Sequence, residues 1–416
     1  MKKLFLSTEN FPYGTGEKTF ILPELPELLK YYDVTIISHA SETVVNDVEN
    51  ISVLPPEVKV VNLDIKLPWY RQIKYLIRFF FDRDGLKETK EILKSRENIL
   101  QRLYQSIGFY GLAMENFRMM DNLSLLPKDE EAIYYSYWYF YYTYSMTRNR
   151  KLFPNMKLVT RTHGFDLYAE QYKGIRQPFK RIMDKKLDGV IFAANYAKGY
   201  YLEHFADNKE DKKYIVCKLG VPEAEITHRS IEGLCLLSCS FAIPRKRIEL
   251  IIQALALLQD ESVHWIHIGG GESLEQLKSY ANVELRSKDN ITYEFKGYLN
   301  SSQIQRVYEE EGIDAFIITS ALEGGCPVAI QEAMSHGIPI IGTAVGGITE
   351  MIQGNGLLLP SNPSPEVISE TIKQFYYMED NEKEKMAKKS YEIWKSDYNT
   401  IINRKKLVDA IHYLEG

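Results

Sequence analysis

Short apolar, β-branched runs alternate with helix-like runs along almost the whole of this chain, and no other feature narrows its fold so far. Such alternation predicts parallel strands joined by crossover helices, an α/β architecture. In the first half the strand-like runs are residues 3–7, 34–38 and 157–161; in the second they are 234–239, 265–268, 315–318 and 339–342. Helical patterns lie between them, such as 248–258, apolar at 248, 251, 252, 255 and 258. A chain of 416 residues exceeds one ordinary core, so two domains of roughly 200 residues are expected. The linker falls within 220–233, where a polar stretch separates two strand signals. Beyond the proline-rich turn at 360–365 the pattern is helical to the end.

Charge is divided unevenly. Residues 1–220 carry 33 Lys and Arg against 28 Asp and Glu, whereas 221–416 carry 18 against 28. The first half therefore leans toward anionic partners. Nucleic acid is not among those expected, because no nucleic-acid motif accompanies the bias. The four cysteines (Cys217, Cys235, Cys239, Cys326) form no Cys-x-x-Cys pair and have no histidines at metal spacing, which predicts reduced thiols in a cytoplasmic protein. The opening Met1-Lys2-Lys3-Leu4-Phe5-Leu6-Ser7 reads as a first strand rather than a signal peptide. No apolar run approaches the length of a membrane span.

Residues 66–120 interrupt the α/β rhythm. Trp69-Tyr70-Arg71, Lys74-Tyr75, Arg78-Phe79-Phe80-Phe81 and Arg83 interleave cations with aromatics on a helix. Two readings stand: a helical excursion whose aromatics are core, or a surface resting on anionic lipid. Asp82-Arg83-Asp84 matches a metal-binding Asp-x-Asp but sits in a charged helical stretch rather than at a strand end, so no metal is assigned to it.

Chemistry concentrates in glycine-rich strand ends. In Thr319-Ser320-Ala321-Leu322-Glu323-Gly324-Gly325-Cys326-Pro327-Val328 a strand ends, a glycine pair follows and a helix begins, with Pro327 placed for the first turn. The N–H groups of Gly325, Cys326 and Val328 there face a ligand's oxygens, helped by the helix dipole. Glu323 lies on the loop and Glu332 in the helix; a carboxylate near a helix start also serves as a simple cap. Arg245-Lys246-Arg247 crowd cations at another helix start, where the dipole disfavours them unless an anion such as a diphosphate lies between. A solvated basic turn is the alternative. Gly269-Gly270-Gly271 is either a close approach to a nucleotide or a tight turn; without a full Gly-x-Gly-x-x-Gly it does not mark a dinucleotide oxidoreductase. In the first half, Phe11-Pro12-Tyr13-Gly14-Thr15-Gly16-Glu17-Lys18 follows the first strand. Thr162-His163-Gly164-Phe165-Asp166 ends another, which favours a ligand-facing role for His163.

These blocks, in this order and together with Phe295-Lys296-Gly297-Tyr298 and the run 338–347, resemble the retaining family 4 glycosyltransferases of the GT-B fold. The resemblance implies two Rossmann-like domains with parallel sheets facing across a cleft. An acceptor-side domain would span 1–221, with a C-terminal helix from about 395 packing back on it, and a nucleotide-sugar domain would span 222–394. In that family a glutamate pair contacts the donor, which implies the sugar for Glu323 and the ribose for Glu332; here eight residues separate them rather than seven. Lys246 falls on a diphosphate-binding lysine. The accompanying arginine position holds Phe241, so Arg245 or Arg247 compensates or that contact is absent. His163 corresponds to a histidine near the donor sugar and Gly16 to a glycine loop facing the leaving phosphates. Gly270, Tyr298, Gly324, Gly325, Cys326, Pro327 and Val328 complete the donor-side set.

The resemblance further implies a retaining, metal-independent hexosyl transfer from a nucleotide-sugar, a UDP-sugar by default, with no cofactor. The acceptor would be a glycan, lipid-linked or protein-linked, in cell-surface glycan synthesis, and peripheral contact with the inner face of an anionic membrane is expected. The alternative is a non-catalytic glycosyltransferase-like partner subunit or glycan-binding protein.

Overall fold

The computed structural model describes residues 1–14, 16–168, 178–225 and 233–416. The chain divides into two compact units, the first made of residues 1–217 with 404–416 and the second of 218–403. The sequence places the boundary at 221/222 with the returning helix from about 395; the structure divides the chain at Cys217/Lys218 and returns it at Arg404, inside the helix Thr400–Glu415. Half of the expected linker, residues 226–232, lies outside the described residues.

Unit 1 is built on a seven-stranded sheet: β1 (Lys2–Thr8), β2 (Tyr32–Ser38), β3 (Lys59–Asn62), β4 (Ala132–Ser136), β5 (Met156–Thr162), β6 (Gly189–Phe192) and β7 (Tyr214–Val216). All its pairings are parallel, in the order β3-β2-β1-β4-β5-β6-β7. Leu4 sits between Val34 and Ile133 in register, and all three are fully buried. Strands covered on both faces carry such continuous apolar runs. Leu407, Val408, Ile411 and Leu414 of the returning helix close the same core, each burial of this kind being worth about 1.5–3 kcal/mol.

Unit 2 repeats the plan with six parallel strands: β8 (Leu234–Cys239), β9 (Val263–Ile268), β10 (Ile291–Gly297), β11 (Ala315–Ile318), β12 (Ile340–Thr343) and β13 (Gly356–Leu359). Their order is β10-β9-β8-β11-β12-β13. The helix Ile248–Ala256 presents Ile248, Ile251, Ile252 and Leu255 at helical spacing to a core containing Leu236 and Trp265. In each unit the strand order reverses at one point, between β1 and β4 and between β8 and β11. The crevice outside the strand ends at such a switch is where open α/β sheets bind ligands.

The excursion at 66–120 forms three helices, Trp69–Phe81, Arg83–Ser95 and Ile99–Asn122. Its large apolar side chains divide. Tyr75, Phe79, Phe109 and Tyr110 are core, whereas Trp69, Tyr70, Ile73, Ile77, Phe80 and Phe81 are exposed, Trp69 to 72% and Phe81 to 84%. Neither single reading of this segment holds for the whole of it. Asp82 and Asp84 both pair with Arg148, and Asp82 also caps the second helix through the Asp84 N–H. No helix among the described residues is long and apolar enough to cross a membrane.

Candidate functional site

In unit 2 the loops after β8 and β11 meet at the switch point. The turn Pro244–Lys246 is 3-10, and Arg247 enters the following helix at φ +50°. The cations therefore occupy a separate turn before the helix. Hydrogen bonds tie the two loops together: the Ala321 N–H donates to the Arg245 carbonyl (2.8 Å), and the Thr319 hydroxyl to the carbonyls of Lys246 (3.1 Å) and Arg247 (2.9 Å).

This cross-linking delivers Lys246 to Glu323. The ammonium donates to Glu323 Oε1 in a largely buried ion pair, and Ser320 Oγ donates to the same oxygen at 2.6 Å. A cation and an anion so placed can trade partners when a charged ligand enters, since either left alone would suffer uncompensated desolvation. Arg247 has a different occupation from the one offered by its sequence position. Its guanidinium donates to the carbonyls of Thr319 (2.8 Å), Ser320 (2.8 Å) and Ser361 (2.9 Å) and to Asn362 Oδ1 (2.7 Å). It clamps the loop after β11 rather than waiting for a diphosphate. Arg245 makes no ion pair among the described residues.

The loop carrying Glu323 rests on a glycine pair. Gly346 has φ +49°, and a Cβ there would lie 1.5 Å from the Glu323 carbonyl oxygen; one on Gly347 would lie 2.2 Å from the Gly325 oxygen. Only glycine admits both the backbone angle and the approach. On the other side Gly325 faces open space, so packing within the unit does not demand a glycine at that point. Its N–H and that of Cys326 have no backbone acceptor among the described residues. Gly324 belongs to the same loop. Pro327 is the N-cap of the helix Val328–Ser335 rather than a first-turn residue, with extended ψ of 131°. Gln331 reaches back to hold the Cys326 carbonyl at 3.0 Å.

Glu332 projects from the fifth position of that helix. Burial pushes its carboxyl up to about 7. It acts electrostatically on Cys239 at the end of β8, as Lys246 does with the opposite sign, which brings the three groups into one neighbourhood. The Gly269-Gly270-Gly271 turn has its own packing reason: a Cβ on Gly269 would meet the Ser240 oxygen at 1.8 Å, and one on Gly271 the Ala242 oxygen at 2.5 Å. A tight turn accounts for the outer glycines. Gly270 lies beside Tyr298, whose ring, like that of Phe241, is mostly exposed.

Unit 1 gathers a second set of groups at its own switch point. Glu17 is buried and accepts the N–H groups of Glu9 (3.0 Å), Asn10 (2.5 Å) and Phe11 (2.7 Å), with Trp138 Nε1 (2.5 Å) from beyond β4. This carboxylate folds the loop after β1, on which Gly16 is exposed with nothing near a would-be Cβ. His163 follows β5. Its ring packs on Trp138 (4.3 Å between centroids) and Tyr137 (4.8 Å), and neither ring nitrogen has a hydrogen-bond partner among the described residues. Burial and the Arg161 charge hold it well below the usual histidine range, as a neutral imidazole. Asp166 positions it by accepting the N–H of His163 and that of Tyr139, each at 2.9 Å.

Three residues here escape a reading of motifs. In the sequence Glu17 is only one member of a glycine loop, and Trp138 lies in a run of aromatics without a motif. Glu9 sits directly after β1, and burial, with the charges of Glu17 and Asp166, pushes its carboxyl up to about 7. The available signal is a carboxylate immediately after a strand, ahead of a glycine-rich loop. No group of three or more His, Cys, Asp or Glu side chains arranged for a metal occurs among the described residues.

Residues 232–393 match the family of glycosyl transferases group 1. A relative, WcaL of Escherichia coli (strain K12), named for colanic acid biosynthesis, is 22% identical over 269 residues, which are 62% of this chain and 64% of WcaL. Among solved structures, the lipopolysaccharide outer core galactosyltransferase WaaB superposes with a TM-score of 0.66 at 16% identity, covering 99% of each chain. Anabaena Alr3699/HepE in complex with UDP and glucose gives 0.66 at 14% identity, covering 99% of this chain and 100% of that one. At such identities the likeness is one of fold, and the fold is GT-B, built from two Rossmann-like units.

Proposed function

We propose that this chain, with a glycosyl transferases group 1 match over 232–393, is a glycosyltransferase of cell-surface polysaccharide synthesis that takes a nucleotide-sugar donor. The observation that carries the reading is the Lys246–Glu323 ion pair at the β8/β11 switch point, with the buried carboxyl of Glu332 acting, like Lys246, on Cys239 at the end of β8. A diphosphate entering there would draw Lys246 from Glu323. The freed carboxylate then accepts hydroxyls of the donor sugar, and Glu332 those of the ribose. The N–H groups of Gly325, Cys326 and Val328 face the phosphates, and Arg245 supplies further charge. Preorganised donors of this kind stabilise the leaving oxygen as its charge grows. A UDP-sugar fits the reading, HepE having been solved with UDP.

Transfer proceeds with retention, the departing diphosphate taking the acceptor proton on the face it leaves. His163, neutral and with no hydrogen-bond partner for its ring nitrogens among the described residues, is the group of unit 1 suited to hydrogen-bond a sugar hydroxyl at the end of β5. The purified protein incubated with a panel of nucleotide-sugars should hydrolyse one of them slowly and transfer its sugar to an added acceptor. An α-linked product from an α-linked donor, assigned by its anomeric proton coupling, is the expected result; an inverted product would exclude this mechanism. The chemistry assigned to Lys246 and the loop amides leaves no step to a metal. Turnover should accordingly be unchanged in excess EDTA, and a loss restored by Mg²⁺ or Mn²⁺ would overturn that part of the reading.

The acceptor is a glycan on a lipid or polymer, and the protein works at an anionic membrane face. The support is the exposed face of the helix Trp69–Phe81, where Trp69, Ile73, Ile77 and Phe80 recur at helical spacing with Lys74 and Arg78 alongside. Arg71 is already bound to buried Glu115 and is not one of the free cations. Co-sedimentation with vesicles should require anionic lipid and fade at high salt. Ile73→Ser with Ile77→Ser should reduce it at least fivefold while leaving transfer to a soluble acceptor intact. Equal recovery with neutral vesicles would remove the membrane from the proposal.

A further inference from the structure

Unit 1 contains a cavity of about 750 Å³ lined by the helix Arg83–Ser95 and by residues of the segment 179–186. Arg83, Lys87 and Lys90 recur along one stripe of the helix, and Arg181 and Lys186 line the same cavity. The acids on its wall have partners of their own. Asp84 pairs with Arg148, Glu91 with Lys94, and Glu88 accepts the Phe179 N–H at 3.2 Å. Lys185 is matched by Asp207, but none of Arg83, Lys87, Lys90, Arg181 and Lys186 has an ion pair among the described residues. Burial holds Lys186 below the ordinary lysine range; Asp84 and Asp82 oppose that shift, and the charges of Arg148 and Lys87 reinforce it. Like charges converging on one space repel unless an anion occupies it.

We propose that this cavity binds a phosphate group. Four cations without an ion pair among the described residues, Arg83, Lys87, Lys90 and Arg181, with Lys186 beside them, suit a ligand carrying more than one negative charge and several acceptor oxygens, which a phosphomonoester or diphosphate supplies and a single carboxylate does not. The floor adds apolar contact from Phe179, Ile182 and Phe205, so the phosphate can belong to an amphiphile. The helix Trp69–Phe81 ends at Phe81, and only Asp82 separates it from Arg83 on the cavity wall. A lipid headgroup and a free phosphate compound are therefore the two sources of the same chemistry. The site is independent of the donor reading, because none of its residues belongs to unit 2.

Calorimetric titration of the full chain with inorganic pyrophosphate tests this. Lys87→Glu with Lys90→Glu, and separately Arg181→Gln in the segment 179–186, should each weaken one class of pyrophosphate site, the double variant by at least tenfold. Lys246→Ala should leave that class unchanged, which keeps the donor site and this one distinguishable. Co-sedimentation with phosphatidylcholine vesicles containing phosphatidylglycerol identifies the source. If the double variant loses vesicle binding together with pyrophosphate binding, the phosphate is a lipid's; if it loses only pyrophosphate, the ligand is a soluble phosphate. Folded double and Arg181 variants that both bind pyrophosphate like the unaltered chain would overturn the proposal.

Discussion

Lys246→Ala should cut sugar transfer by about a hundredfold while the protein stays folded. Removing one preorganised donor to a developing negative charge costs on the order of 10²–10³ in turnover. The structure adds a second contribution, since Glu323 would lose its ammonium partner and keep only the Ser320 hydroxyl. An unpaired, largely buried carboxylate would then oppose entry of the diphosphate. Binding of the donor should weaken less than turnover falls, because the charge to be stabilised grows as the bond breaks. Lys246→Arg should recover a small part of the loss. A folded Lys246→Ala protein that transfers within threefold of the unaltered enzyme would leave the ion pair as a structural link and nothing more.

Glu332→Gln should do two opposite things at once: raise the heat stability of the free protein at alkaline pH and weaken nucleotide binding at least tenfold. Burial lifts this carboxyl from 4.5 to about 7, so the folded chain holds a proton that the unfolded chain has released between those values. The stability it contributes is present in full below about pH 4.5 and is lost as pH rises toward about 7. Glutamine never ionises and escapes that loss, which is on the order of 1–3 kcal/mol, or several degrees in melting temperature. Ribose hydroxyls that donate to the carboxylate favour its charged form, so nucleotide should bind the unaltered protein more tightly as pH rises through 7. The glutamine variant should lose this part of the pH dependence of melting, keeping the part that Glu9 contributes, and should lose the pH dependence of binding. If it melts with the same pH profile as the unaltered chain, Glu332 is not the buried acid described here.

The strands whose sequences stand alone are legible without the fold: 234–239 and 315–318 coincide with β8 and β11, and 3–7 lies inside β1. Strand β4 is not. Ala132-Ile133-Tyr134-Tyr135-Ser136 runs without a break into Tyr137-Trp138-Tyr139-Phe140, and an unbroken aromatic run carries neither the alternation nor the flanking turn signal that marks a strand. The switch point of unit 1 is hidden for that reason, and Trp138 and Glu9 with it. Local signals put Lys246, Glu323 and Glu332 forward as candidates, because glycine pairs and misplaced cations are visible in one dimension. Which of the three basic residues is free is not visible there. Arg247 differs from Arg245 through the carbonyls at 319, 320 and 361 and the side chain of Asn362, which lie beside it in space and not in sequence. The excursion at 66–120 makes the same point for aromatics: Phe79 and Phe80 are neighbours of one type, and only the third dimension buries one and bares the other.

The last helix has a bearing on how the protein is made. Leu407, Val408, Ile411 and Leu414 fill the core of the unit whose sheet was begun by β1, and the whole of unit 2 is translated between them. On the ribosome, the first unit to emerge is therefore the last to be finished. While unit 2 emerges and folds, the apolar surface destined for those four side chains stays uncovered and open to chaperones or to aggregation. A premature stop that spares every residue up to 403 would leave the later unit whole and injure the earlier one.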